Sequence, residues 1–64
     1  MEDWQKRVIQ EATELGEKHG KLGKFFSAAA FKELDPADAD LLKDQYRAMR
    51  GYLSILKKRI ARFE

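Results

Sequence analysis

Residues 42–63 read LKDQYRAMRGYLSILKKRIARF, and their apolar side chains recur at alternating steps of four and three. This row, here called the seam, consists of Leu42, Tyr46, Met49, Leu53, Leu56, Ile60 and Phe63. Such a heptad pattern is typical of a long helix that packs against a partner helix along its whole length. The sequence therefore predicts a second helix that covers the seam.

The chain offers that partner in the segment between Trp4 and Phe26. Its apolar face has the same spacing and consists of Trp4, Val8, Ala12, Leu15, His19, Leu22 and Phe26. We expect an all-α fold, an antiparallel helical hairpin whose first helix covers residues of about 3–26, with Asp3 as N-cap. The second helix is expected over about 36–63, because Asp35 can cap it and Pro36 suits the first helical position.

The connection between the helices, residues 27–34, is expected to be a turn or a short helix capped by Ser27, with Phe31 and Leu34 closing the hairpin there. Residues 1–64 then make a single domain. The first helix also contains three glycines, Gly16, Gly20 and Gly23, each costing roughly 1 kcal/mol relative to alanine. Either the backbone packs closely or bends there, or space is left for a ligand or a second subunit.

Composition excludes several classes of protein. The chain has no cysteine and one histidine, so neither disulfides nor a structural zinc site is expected, and no cofactor or metal is indicated. A net charge of +2 argues against duplex DNA binding, which needs a strongly one-signed surface. The longest apolar run, residues 28–31, is too short for a membrane span, and no signal peptide begins the chain. We expect a soluble protein of the cytoplasm.

A second row lies one position before each seam residue and is half apolar. It consists of Leu41, Gln45, Ala48, Tyr52, Ile55, Arg59 and Arg62. A lone hairpin needs only one narrow apolar row, and a core of 64 residues is marginal without association. The second row therefore predicts a homo-oligomeric helical bundle, most simply a two-fold dimer with four helices, or two hairpins that exchange helices.

The first helix has a polar row at the matching positions Arg7, Glu11, Glu14, Lys18 and Lys21. One interpretation is a solvated face with ion pairs from Glu14 to Lys18 and from Glu17 to Lys21. The other is a groove between subunits, in which cations bind phosphates and aromatic rings stack on bases. The candidate ligand-binding residues are Arg7, Lys18, Lys21, Gln45, Tyr46, Tyr52 and Arg59.

Two further aromatic side chains lie on the apolar face of the first helix. Trp4 is interpreted as a lid on the open end of the hairpin, and His19 as a core or interface histidine. No serine or carboxylate is spaced to make His19 a catalytic base, so no catalytic residue is assigned and an enzyme is not expected.

The chain resembles a widespread family of very small proteins, the crAss-like phage related proteins. The resemblance covers residues 7–60 and rests on Arg7-Val8, Glu11, Glu14-Leu15, Lys18, Lys21-Leu22, Phe25, Phe31, Leu34, Leu41-Leu42, Gln45, Met49, Tyr52, Leu56 and Arg59-Ile60. It implies a phage or prophage accessory protein. Small helical phage proteins include oligomeric sponges that sequester the cyclic nucleotide signals of bacterial defence systems such as CBASS, an analogy of size, helicity and origin.

The leading hypothesis is thus a non-enzymatic homo-oligomer that sequesters a host cyclic-nucleotide immune signal at subunit interfaces in the host cytoplasm. The alternative is a helical protein–protein interaction module that binds and inhibits a host or phage protein, with the second row exposed. A third hypothesis, nucleic-acid binding, would use the cations of residues 47–62, but the acidic residues of 33–44 argue against it.

Overall fold

The computed structural model describes residues 1–63 and contains three helices. These are α1 (Asp3–Phe25), α2 (Ala29–Lys32) and α3 (Pro36–Ala61), and no strand is found within residues 1–63. α1 and α3 pack antiparallel into a rod of 46 × 15 × 14 Å, joined through α2. The all-helical fold is confirmed, and its arrangement agrees with a hairpin; association of copies stays a prediction.

The N-cap residue of α1 differs from the expected one. Its N-cap is Glu2 instead of Asp3, which lies within the first turn. The backbone N–H of Glu2 donates to Oε1 of Gln5 at 2.8 Å, which is the backbone-to-side-chain hydrogen bond of a capping box. The carboxylate of Asp3 then lies close to the positive end of the helix dipole.

The start of α3 agrees with the sequence interpretation. The Asp35 side chain accepts a hydrogen bond from the backbone N–H of Ala37 at 2.9 Å, and Pro36 occupies the first helical turn. At the other end the last turn contains Lys58 and Arg59, whose charges suit the negative end of the dipole.

The two ends of the hairpin are closed by aromatic rings. At the turn end, Phe31 of α2 lies with its ring centroid 5.1 Å from that of Phe26 and 6.0 Å from that of Phe25. The sequence analysis expects Ser27 as the N-cap of α2, but the N-cap is Ala28. Ser27 still belongs to the turn that ends α1. At the open end, Trp4 contacts Phe63 edge-to-face at 5.2 Å.

The core is narrow and lies along the seam. Leu56 of α3 is 1% exposed and Val8 of α1 is 6% exposed, and the other seam residues are partly buried. The second row of α3 is exposed at every position, including Leu41, Tyr52 and Ile55. One hairpin therefore covers the seam and leaves the second row at the surface.

The glycines of α1 have different surroundings. A Cβ atom added at Gly23 would lie 3.2 Å from the ring of Tyr46, so close packing explains this glycine. A Cβ atom at Gly16 or Gly20 would meet nothing within 4 Å. Close packing therefore does not explain these two residues, and open space remains beside them.

Gly16→Ala and Gly20→Ala are each expected to raise the free energy of unfolding by roughly 1 kcal/mol, because alanine favours the helix and its methyl group meets no neighbour. Gly51→Ala in α3, also free of neighbours, is the matched reference. Gly23→Ala is expected to gain less, since the Tyr46 ring must move. Urea denaturation followed by circular dichroism measures all four variants, and a larger gain at Gly23 than at Gly16 and Gly20 would contradict the reasoning.

Candidate functional site

The register of the hairpin follows from two aromatic pairs, Trp4 with Phe63 and His19 with Tyr46. In an antiparallel helix pair, residues one position before the contact row of each helix lie on the same side. The polar row of α1 and the second row of α3 therefore share one side of the hairpin, here called the stripe face. The register places Arg7 across from Arg59, and Lys21 across from Gln45.

The stripe face is apolar along α3 and cationic toward both ends. Its exposed apolar side chains are Leu41, Tyr52 and Ile55, which are 66%, 46% and 58% exposed. Toward the open end lie Arg7 and Arg59, and toward the turn end lie Lys18, Lys21 and Gln45, all of them exposed. Aromatic, apolar and cationic groups thus occur together on this face.

The candidate ligand residues form two groups within one chain. Arg7 and Lys21 stand about 14 residues apart in α1, which is roughly 21 Å along a helix. Arg59 belongs with Arg7, Lys18 and Gln45 belong with Lys21, and Tyr52 lies between the two groups. A single hairpin therefore does not bring these side chains to one point.

Tyr46, the seventh candidate, faces inward. Its ring stacks on the imidazole of His19 at 4.1 Å and 16°, and Phe26 contacts it edge-on at 5.3 Å. The guanidinium of Arg50 lies over the Tyr46 ring, 5.3 Å from its centroid. The π face that a base would need is thus already in contact with His19 and Arg50, because the ring is part of the packing between the helices.

The polar row of α1 does not form the expected ion pairs from Glu14 to Lys18 and from Glu17 to Lys21. Within residues 1–63 the ion pair is Arg47 with Asp44, at 2.9 Å and well exposed. Glu14 instead accepts a hydrogen bond from Gln10 at 3.2 Å. The lysines of the stripe face are therefore not neutralised by these carboxylates.

A second feature was missed by the sequence interpretation. An open groove of about 510 Å³, here called the basic groove, is lined by His19, Arg50, Leu53, Ser54, Lys57, Lys58 and Ala61. The His19 Nε2 atom is buried and has no hydrogen-bond partner within residues 1–63. Arg50, Ser54 and Lys57 recur at steps of four and three. This spacing is the signal in the sequence that predicts a shared side of α3 for the three residues.

Another open groove, of about 560 Å³, lies at the open end of the hairpin and is lined by Trp4, Gln5, Arg59, Arg62 and Phe63. Trp4 covers Phe63 but remains 49% exposed, so it is an incomplete lid. The exposed indole and the two guanidinium groups make this end suitable for a planar or anionic group.

Two features are absent from residues 1–63. No helix there has the length and the apolar character that crossing a bilayer requires. The same residues contain no group of three or more histidine and acidic side chains arranged to hold a metal ion.

Similarity to known proteins comes from two sources. The model of the family Sequestin matches residues 2–62. The "uncharacterized 7.5 kDa protein in denB-rIIB intergenic region" of Enterobacteria phage T4 is 36% identical over 61 residues, 95% of each chain. No solved structure matches the chain. A small phage protein family is thereby confirmed, although the matching family is Sequestin and not the crAss-like one.

Proposed function

The chain belongs to the Sequestin family, and from this premise we propose that it binds and sequesters a small molecule without transforming it. The proposed ligand is a cyclic-nucleotide immune signal of the host, held in the host cytoplasm at an interface between copies of the chain. The family name refers to sequestration, and the relative that is 36% identical is a phage T4 protein. The observation that carries the proposal further is the composition of the stripe face.

The stripe face suits contact with a second copy. Leu41, Tyr52 and Ile55 are each about half or more exposed on one helix side, and one hairpin leaves these apolar side chains uncovered. A two-fold contact between two stripe faces would cover this row in both copies and produce a four-helix bundle.

Such a contact would also bring the two groups of candidate residues together across the interface. If the two rods stack antiparallel, the open end of one copy meets the turn end of the other. Arg7 and Arg59 of one chain then face Lys18, Lys21 and Gln45 of its partner, and this arrangement occurs twice by symmetry. In each site the cations would bind phosphates, while Tyr52 and the Gln45 amide would contact bases.

Calorimetry against a panel of cyclic di- and trinucleotides is expected to detect binding at protein concentrations where the oligomer is intact. Exchanging Arg7 and Arg59 together for alanine is expected to weaken binding by about tenfold or more, because charge-assisted hydrogen bonds to phosphate are lost. The control is the pair Lys6→Ala and Lys32→Ala, which removes the same charge from exposed positions outside the site. No heat with any cyclic nucleotide would disprove this ligand class.

The second candidate is a protein–protein interaction module that inhibits a host or phage protein. The exposure of Leu41, Tyr52 and Ile55 in a single hairpin favours it, since another protein could cover the same row. Native mass spectrometry separates the two proposals. A protein that sequesters a nucleotide is expected as an oligomer with co-purified nucleotide. A protein–protein interaction module is expected as a monomer without bound nucleotide.

A further inference from the structure

The basic groove lies on the side of the hairpin opposite the stripe face. Its α3 residues Arg50, Ser54, Lys57 and Ala61 stand one position after seam residues, whereas the stripe face uses positions before them. The groove is complete within one chain, since α1 contributes His19 and α3 contributes the rest. An interface between stripe faces would leave this groove accessible.

The polar groups of the groove are donors of hydrogen bonds or positive charges. Arg50, Ser54 and Lys57 come from one face of α3, and Lys58 lies beside them. The lining contains no carboxylate, and within residues 1–63 none of these cations forms an ion pair. A concave surface with several cations and no anion raises the local concentration of small anions.

His19 is the α1 residue in the lining of the groove. Its Nε2 atom is buried and lacks a hydrogen-bond partner among the described residues, which is uncommon for a buried polar atom. The ring is held in place by stacking on Tyr46 at 4.1 Å, and Arg50 lies over the same Tyr46 ring at 5.3 Å. Tyr46 thus contacts both the His19 imidazole and the Arg50 guanidinium on the side of the hairpin where the groove lies.

Space on the α1 side of the groove comes from glycines. Gly23 faces the Tyr46 ring, and the spacing of three and four residues places Gly20 and Gly16 on the same side of α1. A Cβ atom at Gly20 or Gly16 would meet nothing within 4 Å. The helix therefore carries two residues of poor helix propensity where larger side chains would crowd the approach to His19.

We propose that the basic groove is a binding site for the phosphate group of a small phosphorylated molecule, with one site in each chain. Arg50 and Lys57 supply charge, the Ser54 hydroxyl supplies a hydrogen bond, and His19 and Leu53 line the groove beneath the ligand. The site requires neither association of copies nor a cyclic nucleotide. Its test is therefore independent of the function proposed above.

The test is a titration of the full chain with inorganic phosphate and then pyrophosphate, observed by NMR at constant pH and ionic strength. His19 is the one histidine of the sequence, so its ring signals are identified without assignment of other residues. The expected result is a saturable shift of the His19 signals with both anions. Shifts that grow linearly and equally with chloride would overturn the proposal.

Variants then locate the site. Lys57→Gln is expected to weaken phosphate binding by about tenfold, since it removes one charged partner, while Lys43→Gln on the same helix leaves it unchanged. Gly20→Leu is expected to block binding by filling the α1 side, whereas Gly51→Leu is not. Circular dichroism verifies that each variant is folded. Equal affinities for Lys57→Gln and Lys43→Gln would overturn the proposed site.

Discussion

Replacing Leu56 by alanine is expected to lower the free energy of unfolding by about 2–5 kcal/mol. Leu56 is 1% exposed and is the most buried side chain of a narrow core, in which Val8, 6% exposed, is the other buried residue among residues 1–63. A domain of this size has a total stability of only a few kcal/mol. We therefore expect a large part of the Leu56→Ala protein to be unfolded at room temperature.

Leu41→Ala is the matched control, because it removes the same atoms from the same helix at a position that is 66% exposed. In the isolated hairpin its effect is expected to stay within about 0.5 kcal/mol. Urea denaturation at low protein concentration, followed by helical circular dichroism, compares the two. Equal losses for both variants would show that the seam of one hairpin is not the core of the protein.

Introducing glutamate at both Tyr52 and Ile55 is expected to raise the dissociation constant of the proposed oligomer by about a hundredfold or more. Each substitution removes apolar contact area and places a carboxylate in the interface, where its desolvation is unfavourable. The helix content is expected to remain, because these side chains are 46% and 58% exposed in the single hairpin. Sedimentation velocity over a range of concentrations measures the change.

Lys43→Glu, with a comparable change of charge on α3 but outside both rows, serves as control and is expected to assemble like the parent chain. Two results would contradict the interface. One is a parent chain that sediments as a stable folded monomer at micromolar concentration. The other is a doubly substituted protein whose assembly is unchanged, which would place any contact between copies elsewhere.

Much of the fold can be predicted from interactions between residues that are close in sequence. The cap at Asp35 with Pro36 depends on contacts within a few residues, and it is present as expected. The seam depends on a helical period, and its side chains are at least partly buried. The predicted start of α1 agrees with the structure, but its cap is Glu2 and not Asp3, because the Gln5 side chain accepts a hydrogen bond from the Glu2 backbone.

The candidate site can be predicted from the sequence only in part. Periodicity identified the exposed stripe of Leu41, Tyr52 and Ile55, because a helix period specifies which residues share a side. Tyr46 is predicted both as a seam residue and, with Tyr52, as a candidate for contact with a base, and in the structure its ring lies against His19 between the helices. Periodicity within one helix does not report which ring of the other helix lies opposite.

The pattern of apolar residues, the caps and the charges determine that this chain makes two long helices and that α3 has two neighbouring rows. The packing of α1 on α3 determines which row is covered, that Gly23 contacts Tyr46, and that His19 meets Arg50 beside an open groove. The physical reason is one of range. Helix propensity, capping and periodicity act over a few residues, whereas the register between two antiparallel helices is set by side chains far apart in the chain.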